Sequence, residues 1–116
     1  RRYLGVVDGI VGGEGNGPMA PDPKPAGVIL AGTHPLAVDC AAAALMGFDW
    51  RRLRLLAGAF AMRPPSFVDF APADIRIVSN HAPWHAALDA LEEPLDFRPH
   101  FGWAGAIERE ERTVAA

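Results

Sequence analysis

Cysteine is nearly absent: Cys40 is the only one in 116 residues. A lone thiol cannot close a disulfide within the chain. Nor can it supply an iron–sulfur cluster or a zinc site built from several thiolates of this chain. Lysine is equally scarce, with Lys24 standing alone among arginines. Positive charge is not in excess either. Eleven basic residues face 14 acidic ones, a net charge of −3 with histidine neutral. This excludes a nucleic-acid binder driven by phosphate neutralisation. Long apolar runs are missing too: none reaches the roughly 18–20 residues of a membrane span. With no signal peptide in view, the expectation is a cytoplasmic protein that contacts neither membrane nor nucleic acid. The chain opens on Arg1-Arg2 and enters a strand almost at once. We therefore expect the C-terminal part of a longer protein, whose N-terminal part is its first expected partner.

What is present suits one globular domain: half of the residues are hydrophobic and 22% are charged. The expected division is a domain over residues 1–107 and a charged tail over 108–116. Residues 3–8 and 26–31 read as short buried strands. Between them, 9–25 is too rich in glycine and proline for regular structure and reads as a long loop. Thr33 is an expected N-cap, Pro35 opens a helix, and Gly47 stops it after Met46. Asp49 is placed to cap a second helix carrying Trp50, Leu53, Leu56 and Phe60. A third strand is expected over 74–79, a helix from Pro83 to Pro94, and irregular chain from Leu95. These elements predict an α/β fold: a small mixed sheet of three or more strands with helices packed on it.

Two features point to chemistry. In the loop, glycine fills four of the six positions from 12 to 17, with Glu14 and Asn16 the only polar side chains. Glycines let backbone amides approach a ligand, and successive amides can form an anion-binding nest. The spacing is neither a dinucleotide fingerprint, since Pro18 stands where a third glycine is needed, nor a P-loop. The second feature is Asp39. On a helical wheel its neighbours are Leu36, Ala42, Ala43 and Met46, and the helix is apolar on every other side. Such a helix is normally buried, and a buried carboxylate needs hydrogen bonds, a counter-charge or a metal. Structurally, Asp39 can accept from loop amides or pair with an arginine; functionally, it can bind a ligand or a cation. Asp8 ends a strand beside Gly9, where a carboxylate can cap a turn or line a crevice.

Asp8, Glu14 and Asp39 together would suit a hard divalent cation, or Glu14 and Asp39 an acid–base pair. His34, at the helix start, is a further candidate ligand group. His81 and His85 have helical spacing, but Pro83 lies between them. Arg51, Arg52 and Arg54 read as a solvated face. Phe97, Phe101 and Trp103 form an aromatic patch that either covers the core or meets a partner.

Val7-Asp8-Gly9-Ile10, Gly13-Glu14-Gly15-Asn16-Gly17-Pro18, Pro35-Leu36-Ala37-Val38-Asp39 and Met46-Gly47-Phe48 follow one another in that order. The combination resembles the C-terminal half of the prokaryotic domain-of-unknown-function family 362. The resemblance covers about residues 3–60, and Phe101-Gly102-Trp103-Ala104-Gly105 is similar to the family's closing segment. It implies that Asp8, Glu14, Asn16, Gly17 and Asp39 occupy the family's characteristic polar and glycine positions. Some relatives carry 4Fe–4S clusters, which implies an association with redox work, but Cys40 alone carries no cluster onto this chain.

The leading expectation is an enzyme-like domain that binds a ligand or metal. Glu14 and Asp39 would be its catalytic groups, and Asp8, Gly13, Gly15, Asn16, Gly17 and His34 its ligand contacts. Asp8, Glu14 and Asp39 would hold a divalent cation, and the loop amides a small anionic ligand. The alternative is a non-catalytic structural or interaction domain in which the loop and Asp39 only stabilise the fold.

Overall fold

The structure is a computed structural model and describes residues 2–110. The expected charged tail lies outside the described residues from position 111 onward. Strands β1 (Gly5–Asn16) and β2 (Ala20–Gly32) form a long antiparallel hairpin. Helix α1 (Pro35–Met46) follows. After a 3-10 turn at Trp50–Arg52 comes α2 (Arg54–Ala61). The rest is short turns and a two-residue pairing of β3 (Arg76–Ile77) with β4 (Ala86–Ala87).

The expected sheet of three or more strands is not formed. Among the described residues there are two separate two-stranded antiparallel sheets. The supposed loop 9–25 is largely ladder: Gly12 lies opposite Lys24, Glu14 opposite Asp22, and Asn16 opposite Ala20. Pro21, Pro23 and Pro25 face Gly15, Gly13 and Val11. A proline at every second position leaves the intervening residues free to bond across the ladder, so composition alone did not forbid a strand. The chain thus turns back on itself at 17–19 instead of crossing over, and no parallel or mixed sheet arises.

Local signals set α1. His34, not Thr33, is its N-cap: the ring Nδ1 accepts the Leu36 N–H at 3.1 Å, and Pro35 begins the helix. At the other end Gly47 takes φ 89°. Its N–H donates to the Ala44 carbonyl, and the Phe48 N–H donates to that of Ala43. These two bonds make a Schellman turn. Asp49 caps the short 3-10 turn, accepting the Arg51 N–H at 3.0 Å, before α2 begins. The expected helix from Pro83 to Pro94 is instead two 3-10 turns, Ala82–Trp84 and Leu88–Ala90, flanking β4. The expected strand 74–79 shrinks to β3.

The core lies around α1. Leu36, Cys40, Ala41, Ala44 and Leu45 pack with Phe48, Leu56, Ile75, Leu88, Leu91 and Phe97. The hairpin covers one side, with Val28 and Leu30 of β2 against the core. Its opposite face stays open, and Val6, Ile10, Val11 and Ile29 are each more than half exposed. No described helix is long and apolar enough to cross a membrane.

Candidate functional site

The glycine-rich part of β1 makes its polar contacts with the strap formed by residues 96–101. The Gly15 N–H donates to the Arg98 carbonyl at 2.7 Å. Glu14 Oε2 accepts the Arg98 N–H at 2.8 Å, and Asn16 Oδ1 accepts the Phe101 N–H at 3.3 Å. The Arg98 guanidinium meets the Asp22 carboxylate, and Lys24 Nζ donates to the Asp96 carbonyl at 3.2 Å. Lys24 also lies 3.8 Å from Glu14. Gly15 takes φ +78°, and a Cβ there would come within 2.6 Å of the Arg98 side chain. Here the left-handed backbone favours glycine, whereas the Arg98 side chain can move aside for a Cβ.

This geometry reassigns the loop residues. The Gly15 N–H is taken by Arg98 and the Gly17 N–H by the Gly15 carbonyl, so neither donor is open to the anionic ligand expected there. Gly13 and Gly17 face the ring of Pro21. Asp8 does not end a strand but lies within β1, and its Oδ1 accepts the Ile10 N–H at 3.2 Å in an Asx turn. Asp8, Glu14 and Asp39 are not gathered into a metal centre. Among the described residues no group of three or more His, Cys, Asp or Glu is arranged to hold a metal ion.

Asp39 departs furthest from the sequence reading, because it is exposed. The wheel misled because Ala42, one turn on, counts as apolar but is only half-buried, as is Met46. Alanine serves α1 there as a helix former rather than as core. Asp39, Ala42 and Met46 form a strip along α1 that opens into a cleft of about 450 Å3. Leu53, Leu55 and Leu56, from the start of α2, line the second wall. Arg98, Pro99, His100 and Trp103 line the third. The strap pinned by Glu14, Gly15 and Asn16 therefore runs directly into the cleft wall. Arg98 and His100 gave no signal of a site in the sequence, whereas Trp103 belonged to the aromatic patch.

His34 lies elsewhere. It lines a groove of about 420 Å3 between the end of β2 and residues 74–78. Its ring stands edge-on to Phe70 and Phe67, with centroids 4.9 and 5.5 Å away. His85 is used locally, accepting the Ser79 N–H, and His81 stacks edge-on to Trp84. Of the arginines, Arg51 pairs with Asp89 and Arg52 with Glu110.

Cys40, directly after Asp39, is fully buried. Burial pushes its thiol from the ordinary 9.0 up to about 11, with the Asp39 and Asp89 carboxylates adding to the effect. The thiol is thus protonated at neutral pH and poorly suited to nucleophilic work. The raised value also makes a prediction. The unfolded chain ionises Cys40 above pH 9, but the folded chain does so only near pH 11. Its contribution is complete below pH 9 and is lost as pH rises through that window, by about 2–3 kcal/mol. Urea unfolding of the protein and of Cys40→Ala from pH 8 to 11 should show a steeper fall for the cysteine form; parallel curves would contradict the assignment.

No curated protein and no solved structure matches the chain. A family model does match, over residues 1–44: the two strands of the hairpin and α1 as far as Ala44. That span holds Asp8, Glu14, Asn16, His34 and Asp39, and stops short of Met46-Gly47-Phe48 and of residues 101–105. The family is DUF362, a domain of unknown function, and the match supports the assignment of this chain to it.

Proposed function

We propose that this is a ligand-binding domain whose site is the cleft between α1, α2 and the strap, with Asp39 as its polar anchor. The observation that carries this reading is a carboxylate with no hydrogen-bond or ion-pair partner among the described residues, at the rim of a cleft whose exposed lining is largely apolar. Small-molecule sites are commonly concave, apolar and several hundred Å3 in volume, with few polar groups. Apolar walls supply affinity, and one charged group supplies orientation. The glycine-rich hairpin has a structural role in this reading: Glu14, Gly15 and Asn16 hold the strap that forms one wall. The expected pairing of Glu14 with Asp39 as acid and base is replaced by a division of labour, with Glu14 on the scaffold and Asp39 in the site.

Leu55 offers a clean test. It lines the cleft yet is 82% exposed, so changing it should alter folding stability by no more than about 0.5 kcal/mol. The neutral fluorophore N-phenyl-1-naphthylamine should brighten on binding the protein. Leu55→Arg should reduce that binding at least about tenfold with an unchanged melting curve. Equal binding by both proteins would place the probe outside the cleft and reject the reading.

A further inference from the structure

The geometry points to a ligand that is an amphiphilic cation: an apolar body seated in the cleft and an ammonium or guanidinium group against Asp39. This inference rests on the cleft being a ligand site and adds the charge of what enters it. The charges at the rim decide the sign. Three ionisable side chains line the cleft: Asp39, Arg98 and His100. The Arg98 guanidinium is already matched by Asp22, and the Arg98 backbone is bonded to Glu14 and Gly15. His100 is engaged locally, its Nδ1 accepting the Gly102 N–H at 3.0 Å. The Asp39 carboxylate is the group at the rim without a hydrogen-bond or ion-pair partner among the described residues, so an entering molecule meets an unmatched negative group there.

The walls agree with that sign. Ala42, Met46, Leu53 and Leu56 offer no donor for an anionic head group. Trp103, about half exposed on the facing wall, presents an indole to the same space. Indole faces attract cations and repel anions through the ring quadrupole. A carboxylate and a half-exposed indole lining one cleft with apolar side chains between them is chemistry suited to an organic ammonium with a hydrocarbon body. An inorganic cation would leave the apolar walls unused and would find one carboxylate where it needs several oxygen ligands.

Three probes that share a chain and differ in charge test the inference: octylammonium, octanoate and octanol, each titrated below its aggregation limit. The reporter is the Trp103 indole N–H signal in nuclear magnetic resonance spectra, assigned with Trp103→Phe. Octylammonium is expected to bind about tenfold more tightly than octanol, and octanoate more weakly than either. In Asp39→Asn the advantage of octylammonium over octanol should vanish, while Asp39→Glu should retain most of it. Asp39 is exposed, so both variants should fold. If the three probes bind the native protein equally, or if Asp39→Asn keeps the preference for the cation, the charge inference fails and the cleft reading survives. If none of them moves the Trp103 signal, the cleft reading itself fails.

Discussion

Leu91→Ala is expected to lower folding stability by about 2–5 kcal/mol, the range for truncating a fully buried leucine. Leu91 is only 1% exposed and belongs to the core beside Leu88. Its carbonyl accepts a hydrogen bond from Arg109 Nη1 at 2.7 Å. That backbone contact survives the substitution, so the loss reports the side chain alone. Two effects add: the transfer free energy of the removed carbons and the cavity they leave. The chain around Leu91 in sequence is fixed by backbone bonds such as Leu88 N–H to the Ile75 carbonyl and Leu95 N–H to that of Leu45, which limits collapse into the void. Domains of this size are held by about 5–15 kcal/mol in total, so the loss is a large fraction of the whole. Urea unfolding should show a lower midpoint with an unchanged slope. Val78→Ala, at a residue 85% exposed, should move the midpoint little. A Leu91→Ala midpoint as close to native as that of Val78→Ala would refute the core described above.

Gly12→Val is expected to destabilise by about 1–3 kcal/mol through overpacking. A Cβ at position 12 would lie 2.6 Å from Phe97 Cζ and 2.7 Å from Cε1, far inside contact distance. Phe97 has little room to yield. It is buried, its N–H donates to the Met46 carbonyl at 2.8 Å, and Lys24 Nζ sits 5.6 Å from its ring centroid. Valine would therefore lift the ring and with it the start of the strap. The lifted strap also forms a cleft wall, so the variant should bind N-phenyl-1-naphthylamine more weakly. A useful contrast is Gly58→Ala in α2, where nothing lies within 4 Å of the added methyl group. That change should stabilise by about 0.4–1 kcal/mol, because alanine loses less chain entropy in a helix. Thermal melts of the two variants should move in opposite directions. A Gly12→Val melt that matches the native protein would show that the hairpin does not press on Phe97.

The boundaries of α1 were legible because their causes are local: Pro35 starts the helix and Gly47 stops it. The apolar stretch at 26–31 was legible as strand but not as a buried one: Val28 and Leu30 turn to the core and are half-buried, while Ile29 faces out and is exposed. The glycine and proline of 9–25 hid the hairpin. Breaker residues forbid most regular structure but not a ladder in which they fall at alternate positions. Asp39 was found but placed in the wrong medium, because alanine does not say whether it serves a core or a helix. Glu14 and Asn16 were also found, yet their partners at 98 and 101 lie more than eighty residues away, beyond any local pattern. The later half resisted for the same reason. Its turns are fixed by long-range backbone bonds, such as Asp49 N–H to the Ile107 carbonyl. The match to the DUF362 model likewise lies in the early segment, where the sequence signals are densest.

The alternating prolines of β2 have an effect beyond the hairpin. Residues two apart in a strand direct their backbone nitrogens to the same side. The ladder to β1 takes its donors from the residues between, so Pro21, Pro23 and Pro25 turn their nitrogens outward. That margin has no N–H to offer, and another strand arriving there would find acceptors but no donors. A two-stranded ribbon with much exposed valine and isoleucine would otherwise invite growth of a sheet from chain to chain. Over residues 21–25 this edge of the ribbon is closed to such growth by three residues that read, in the bare sequence, as marks of a loop.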